Sequence, residues 1–248
     1  MKTYPMIAGL VQKYENYTPE DFAVWKILFE RQMTILPSMA SEEYLEGIQR
    51  IGFTGDTIPN FQEVNARLLQ LTGWKIVVVP GIIEEPVFFQ LLSQKKFPAT
   101  SWLRKMNELD YLSEPDMFHD VFGHMPLLTN PLFCDFYHAM GMLGVTYNHK
   151  QNIIQMLGRM YWFTVEFGLI KNNEALKIFG AGILSSHSET KFSVSDEPKH
   201  IAFNTEQVMH TPYENDHIQD TYFVIDSFQQ LYNSIEEMKR ICKIELDA

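Results

Sequence analysis

Apolar residues recur at helical spacing along most of the chain. Thr18-Pro19-Glu20-Asp21 predicts a helix start, with Thr18 as the cap and Pro19 in the first turn. Phe22, Trp25, Leu28 and Phe29 then repeat on one face. Ser41-Glu42-Glu43 opens a second helix, predicted to end near Gly52, and Asn60 to Leu71 reads as a third, with Val64, Leu68 and Leu71 on one side. The run Trp74-Lys75-Ile76-Val77-Val78-Val79 is short and β-branched, so it predicts a strand that Pro80-Gly81 stops. A helix from about Pro86 to Lys95 follows; Pro115-Asp116 begins another helical stretch and Pro131 a long one. Residues 150–168 predict a single helix striped by Ile154, Leu157, Tyr161 and Val165. Phe179 to Leu184 reads as extended, Tyr222 to Ile225 as a strand, and Ser227 as the cap of a last, charged helix.

These elements add up to a mainly α (α+β) fold: a single helical catalytic domain over 1–248 with a few short strands. The βαβ alternation of a dinucleotide-binding fold is missing, as are G-x-G-x-x-G and Walker loops. No repeat or linker-like stretch divides the chain. Composition sharpens this picture in two places. A net charge of −11 argues against nucleic acid as a partner, because phosphate binding needs a basic face. No segment reaches 18 apolar residues, and the run Met6 to Val11 is broken by Gly9, so no membrane partner and a cytoplasmic location are expected. Cys134 and Cys242 form no C-x-x-C or zinc pattern and are expected as buried free thiols.

The chemistry concentrates around two histidines. His119 and His124 stand five residues apart within Pro115-Asp116-Met117-Phe118-His119-Asp120-Val121-Phe122-Gly123-His124-Met125-Pro126. On a regular α-helix that spacing separates them by about 140°. They converge only if the helix ends or distorts near Gly123, where the backbone is permissive. H-E-x-x-H is absent, which weakens a zinc-protease reading. Two unrelated histidines are the plain alternative. The apolar setting of Phe118, Val121, Phe122, Met125 and Leu127 favours a metal, since buried imidazoles need partners. Glu166 is the third candidate ligand. It sits in Tyr161-Trp162-Phe163-Thr164-Val165-Glu166-Phe167-Gly168, where a carboxylate is costly unless paired, hydrogen-bonded or metal-bound. Its plain alternative is a buried ion pair with Arg159. Two imidazoles and one carboxylate form the facial triad of non-haem Fe(II) oxygenases, and the same set can hold zinc for a hydrolysis.

Phe118-His119-Asp120-Val121-Phe122-Gly123-His124-Met125-Pro126-Leu127-Leu128 resembles the iron motif of the pterin-dependent aromatic amino acid hydroxylases. Residues 161–168 resemble that family's carboxylate-ligand helix, and Gly180-Ala181-Gly182-Ile183-Leu184-Ser185-Ser186, with Glu189 after it, resembles a third signature. The blocks stand in the family's order and spacing. The resemblance implies the aromatic amino acid hydroxylase fold, with His119, His124 and Glu166 as Fe(II) ligands. It also implies a tetrahydropterin cofactor and O2 as cosubstrate. The reaction implied is ring hydroxylation of a free aromatic amino acid, L-Phe to L-Tyr foremost, with tyrosine hydroxylation as the alternative. By the same resemblance Arg104 binds the substrate carboxylate, Ser185 and Ser186 lie near it or near the iron, and Pro115 and Trp162 flank the substrate ring. Gly81, Ile82, Ile83, Phe88, Asp120 and Tyr161 fall where the family holds its pterin. Asp116 and Glu189 would support the ligands from behind. The likeness is greatest to the short bacterial members, which lack a regulatory domain and a tetramerisation helix, so a monomer is expected. Bacterial members that act on Phe usually carry an apolar residue where Asn215 stands, and a polar one there would relax selectivity toward tyrosine.

Overall fold

In the computed structural model, which describes residues 9–110, 112–172, 175–214 and 217–247, the predicted caps form. Thr18 and Asp21 exchange side-chain and backbone hydrogen bonds at the start of α1 (Pro19–Met33). A short α2 (Leu36–Met39) follows. Ser41 caps α3 (Glu42–Ile51), which Gly52 ends in the left-handed region at φ 74°. Asn60 caps α4 (Phe61–Leu71). The predicted strand is β1 (Lys75–Val78), then come α5 (Glu85–Ser93) and β2 (Lys96–Ala99), which pairs parallel with β1. Asn130 caps the long α6 (Pro131–Thr146), and α7 (Gln151–Tyr161) runs after it. The second half adds β3 (Leu169–Asn172), β4 (Ala175–Ile178), α8 (Ala181–Ser185), α9 (His187–Phe192), β5 (Lys199–Ala202), α10 (Thr205–His210) and β6 (Thr221–Ile225). The chain closes with α11 (Phe228–Asp247), where Ser227 accepts from the Gln230 N–H. The larger sheet has the order β4-β3-β6-β5, with β3 antiparallel to β4 and the other pairs parallel.

Three expectations need correction or limits. Residues 150–168 are not one α-helix: α7 stops at Tyr161 and Trp162–Glu166 continues as a π-helical turn, with the Phe167 N–H reaching back to the Trp162 carbonyl at 2.9 Å. Phe179 to Leu184 is not extended throughout. Gly180 lies against the Glu166 backbone, where any Cβ would come within 2.4 Å of the Glu166 carbonyl, and α8 starts immediately after it. Asn215 and the first residues of the run Met6 to Val11 lie outside the described residues. Cys134 and Cys242 are buried and free, as expected. No described helix is long and apolar enough to cross a membrane.

The core sets the direction of the histidine segment. Residues Phe118–Gly123 form a second π-helical turn. Phe118 and Phe122 stack at 4.6 Å and 11°, with Trp25, Phe29 and Tyr44 around them. Phe118, Val121 and Phe122 are fully buried, and each contributes about 1.5–3 kcal/mol by leaving water. The Tyr44 hydroxyl donates to the Phe122 carbonyl at 2.9 Å. This apolar side is pinned to the core, so the other side of the same turn must face the cleft.

Candidate metal centre

A π-helical turn bonds residue i to i+5 and brings residues five apart to within about 50° of one another, against about 140° on an α-helix. That is how His119 and His124 converge. Their Nε2 atoms lie 3.4 Å apart. Glu166, on the second π turn, places Oε1 3.2 Å from His124 Nε2 and Oε2 3.6 Å from His119 Nε2. One donor atom from each residue falls within 4.8 Å of the others. The plain alternative for Glu166 is excluded, since Arg159 turns away to the Met209 carbonyl at 3.3 Å.

Gly123 permits this convergence. A Cβ there would lie 2.9 Å from the Ala181 carbonyl oxygen, so the histidine turn packs on α8 without a side chain between them. The same contact brings Ser185 to His119. The Ser185 hydroxyl donates to the Ala181 carbonyl at 2.9 Å and so has only its lone pairs left for His119 Nδ1, also at 2.9 Å. Nδ1 therefore carries the hydrogen, and Nε2 keeps a lone pair aimed at the cluster.

Electrostatics favour a carboxylate in this place. Burial by itself would raise the Glu166 carboxyl. The imidazoles of His124 and His119 and the Tyr161 hydroxyl outweigh burial and hold it down at about 2. Asp120 goes the other way: burial raises it, only partly offset by His119 and by two bonds from Thr100, N at 2.7 Å and Oγ1 at 2.9 Å.

A cleft of about 220 Å³ opens on the cluster. Gly81, Ile82, Ile83, Phe88, Asp120 and Tyr161 all line it, as do Pro115, His119, His124 and Glu166. Phe88 meets Tyr161 edge-on at 5.0 Å. The residues expected to hold a pterin thus stand together around the cleft, drawn from the β1 exit, α5, the histidine turn and the end of α7. Phe97 and Thr100, from β2 and its exit, were not singled out in the sequence. Phe97 packs on the His124 ring at 4.7 Å. The run Lys96-Phe97-Pro98-Ala99 is too short and too broken by proline to announce a strand.

Arg104 is not among the residues that line the cleft; it is buried in a two-pronged pair with Asp116, Nε to Oδ2 and Nη2 to Oδ1, both 2.9 Å. Asp116 Oδ1 also accepts from the His119 N–H at 3.2 Å, so one carboxylate links the guanidinium to the histidine turn. Ser186 caps α9, and Glu189 accepts from Tyr222 Oη at 2.7 Å and from the Gln219 N–H at 3.3 Å. Trp162 does not line the cleft. Its indole stacks on Tyr213 at 4.3 Å and 12°, and rests against Phe167 at 4.5 Å.

The family model of the biopterin-dependent aromatic amino acid hydroxylases matches residues 9–247. The phenylalanine-4-hydroxylase of Chromobacterium violaceum is 47% identical over 226 residues, covering 91% of this chain and 76% of that one. The phenylalanine-4-hydroxylase of Pseudomonas aeruginosa is 42% identical, covering 90% and 84%. The C. violaceum enzyme solved with iron(III) and 7,8-dihydrobiopterin superposes with a TM-score of 0.91 at 44% identity, covering 100% of this chain and 89% of that one. The same enzyme solved with iron and phenylalanine gives 0.85 at 46% identity, covering 91% and 82%. With that family model matching residues 9–247, the protein belongs to the biopterin-dependent aromatic amino acid hydroxylase family.

Proposed function

We propose that the protein is an Fe(II)- and tetrahydropterin-dependent monooxygenase that hydroxylates free L-Phe to L-Tyr. The observation that carries this is the convergence of two imidazoles and one carboxylate on a single point beside an aromatic-walled cleft. The donor set suits iron: nitrogen and carboxylate ligands on one side leave the opposite positions open. Iron bound there supplies O2 activation, which redox-silent zinc does not.

The remaining roles belong to the chain's own side chains. His119, His124 and Glu166 hold the metal. Ser185 keeps His119 in the tautomer that presents Nε2. Phe88 and Tyr161 offer aromatic surfaces to the flat pterin, while Gly81, Ile82 and Ile83 offer a backbone edge and Asp120 a polar one. Arg104, already oriented by Asp116, presents its remaining N–H groups to the substrate carboxylate. In this reading Ser186 belongs to the same end, Pro115 bounds the ring from the cleft, and Trp162 bounds it from beyond the cleft lining, beside Tyr213. Glu189 steadies the loop behind Ser186. The reading extends to a single catalytic domain over the described residues, monomeric and cytoplasmic; sedimentation velocity checks the monomer.

The test is direct. Fe(II)-loaded protein is mixed with a tetrahydropterin, O2 and equimolar Phe, Tyr and Trp, and products are identified by mass spectrometry. Tyrosine formed from Phe, and lost in Glu166→Ala, is the expected result. No oxygen incorporated into any of the three overturns the proposal.

A further inference from the structure

Gln219 engages both polar atoms of its side chain and its backbone N–H. Its Oε1 accepts from the Trp162 indole N–H at 3.0 Å. Its Nε2 donates to the Glu214 carbonyl at 2.9 Å and the His217 carbonyl at 3.1 Å. Its backbone N–H donates to Glu189 Oε1 at 3.3 Å. The residue is 6% exposed, so these bonds are made largely away from water. Its side chain thereby joins the π turn that carries Glu166 to Glu214 and His217, and its backbone N–H ties the same residue to α9, just beyond Ser185 and Ser186.

The consequence falls on Trp162. Its indole is held on one edge by Gln219, on one face by Tyr213 and on another side by Phe167. Tyr213 belongs to the loop that Gln219 anchors. Its hydroxyl is raised by burial and by the nearby Glu85 of α5, with Arg159 opposing and Glu166 adding a further push upward. Only an amide does both jobs: a carboxylate in its place accepts from the indole but cannot donate to the two carbonyls, and an apolar side chain does neither.

We infer that Gln219 is a positioning residue for ring selectivity, setting the Trp162–Tyr213 pair so that the substrate side of the site fits the phenylalanine ring. This rests on the hydroxylase reading above. It acts through Trp162 and touches neither metal nor pterin.

The experiment compares wild type, Gln219→Met, Gln219→Glu, Trp162→Phe and the Gln219→Met/Trp162→Phe double variant, each loaded with Fe(II). KM and kcat are measured for Phe and Trp, and KM for the pterin, alongside the indole N–H resonances in a 15N-labelled sample. Gln219→Met, which removes all three side-chain hydrogen bonds, is expected to raise KM for Phe about tenfold through loss of the indole bond. It should leave the pterin KM unchanged, shift the product ratio toward the bulkier ring, and move the Trp162 indole resonance. The double variant should be no worse than Trp162→Phe alone. Gln219→Glu, which keeps the indole acceptor, should retain more selectivity, and it carries the test if Gln219→Met fails to fold. A folded variant with wild-type KM and product ratio, a loss equal for every substrate and pterin, or strict additivity with Trp162→Phe overturns the inference. Wild type that makes no tyrosine overturns instead the hydroxylase reading.

Discussion

His119 Nδ1 sits 2.9 Å from a Ser185 hydroxyl whose own proton is already given to the Ala181 carbonyl. This chain of two hydrogen bonds decides which imidazole nitrogen is left for a metal. Ser185→Ala removes it. Fe(II) affinity is expected to fall about 10- to 100-fold, as for other residues that orient ligand imidazoles. Competition with a chelator measures this, and unchanged affinity would remove Ser185 from the role.

Asp116 and Arg104 form the most deeply buried ion pair among the described residues, with side chains 0% and 10% exposed. Asp116→Ala strands a buried guanidinium and also removes an acceptor from the His119 N–H. Urea unfolding of the metal-free protein should show a loss of about 3–5 kcal/mol. Arg104→Lys keeps the charge but loses the fork, so KM for Phe should rise while the fold survives. Full iron affinity and activity in Asp116→Ala would count against its place behind the site.

Glu189 provides a pH signature. Burial raises its carboxyl above 4.5, only partly offset by bonds from Tyr222 and the Gln219 N–H. The folded state then holds the proton more tightly than the unfolded chain. Stability attached to this group is present below pH 4.5 and is lost as pH rises through the folded value. Glu189→Gln should flatten that part of the stability–pH curve, read by chemical denaturation across pH 4 to 7. A curve parallel to wild type would show that the carboxyl does not titrate this way.

Gly180 admits no side chain, because a Cβ would press within 2.4 Å of the Glu166 carbonyl oxygen. Gly180→Ala should therefore displace the π turn carrying Glu166. A cost of about 1–3 kcal/mol is expected from overpacking, together with weaker metal binding. Gly158, where a Cβ meets nothing within 4 Å, is the control: Gly158→Ala within α7 should stabilise by a few tenths to about 1 kcal/mol.

Much of the fold was legible from local rules. Caps at Thr18, Ser41, Asn60 and Ser227 depend on side chains reaching backbone a few residues away, and they form where the sequence puts them. The short strands β2 to β5 were not legible. They are four residues each and are defined by partners distant in the chain, not by their own pattern. The extended reading of residues 179–184 failed for a related reason: apolar composition suits a strand or a buried helix equally, and the contact of Gly180 with Glu166 selects the helix.

The site divides in the same way. Residue types and their order were enough to name His119, His124 and Glu166 as one set, because buried imidazoles and a buried carboxylate require partners. How residues five apart meet was beyond type and order. An α-helix and a π-helix differ by one hydrogen-bond step, and no residue preference in the segment decides between them. The decision comes from Phe118 and Phe122 locked in the core on one side and Gly123 pressed against α8 on the other. Gln219 likewise looked like an ordinary loop residue until folding brought Trp162 and Glu189 to it across 57 and 30 residues. The chain by itself determined which groups needed partners, since that need is a property of each side chain in an apolar setting. Tertiary packing alone decided who the partners are and which atom of each is presented, since distance and angle arise only when separate segments share one core.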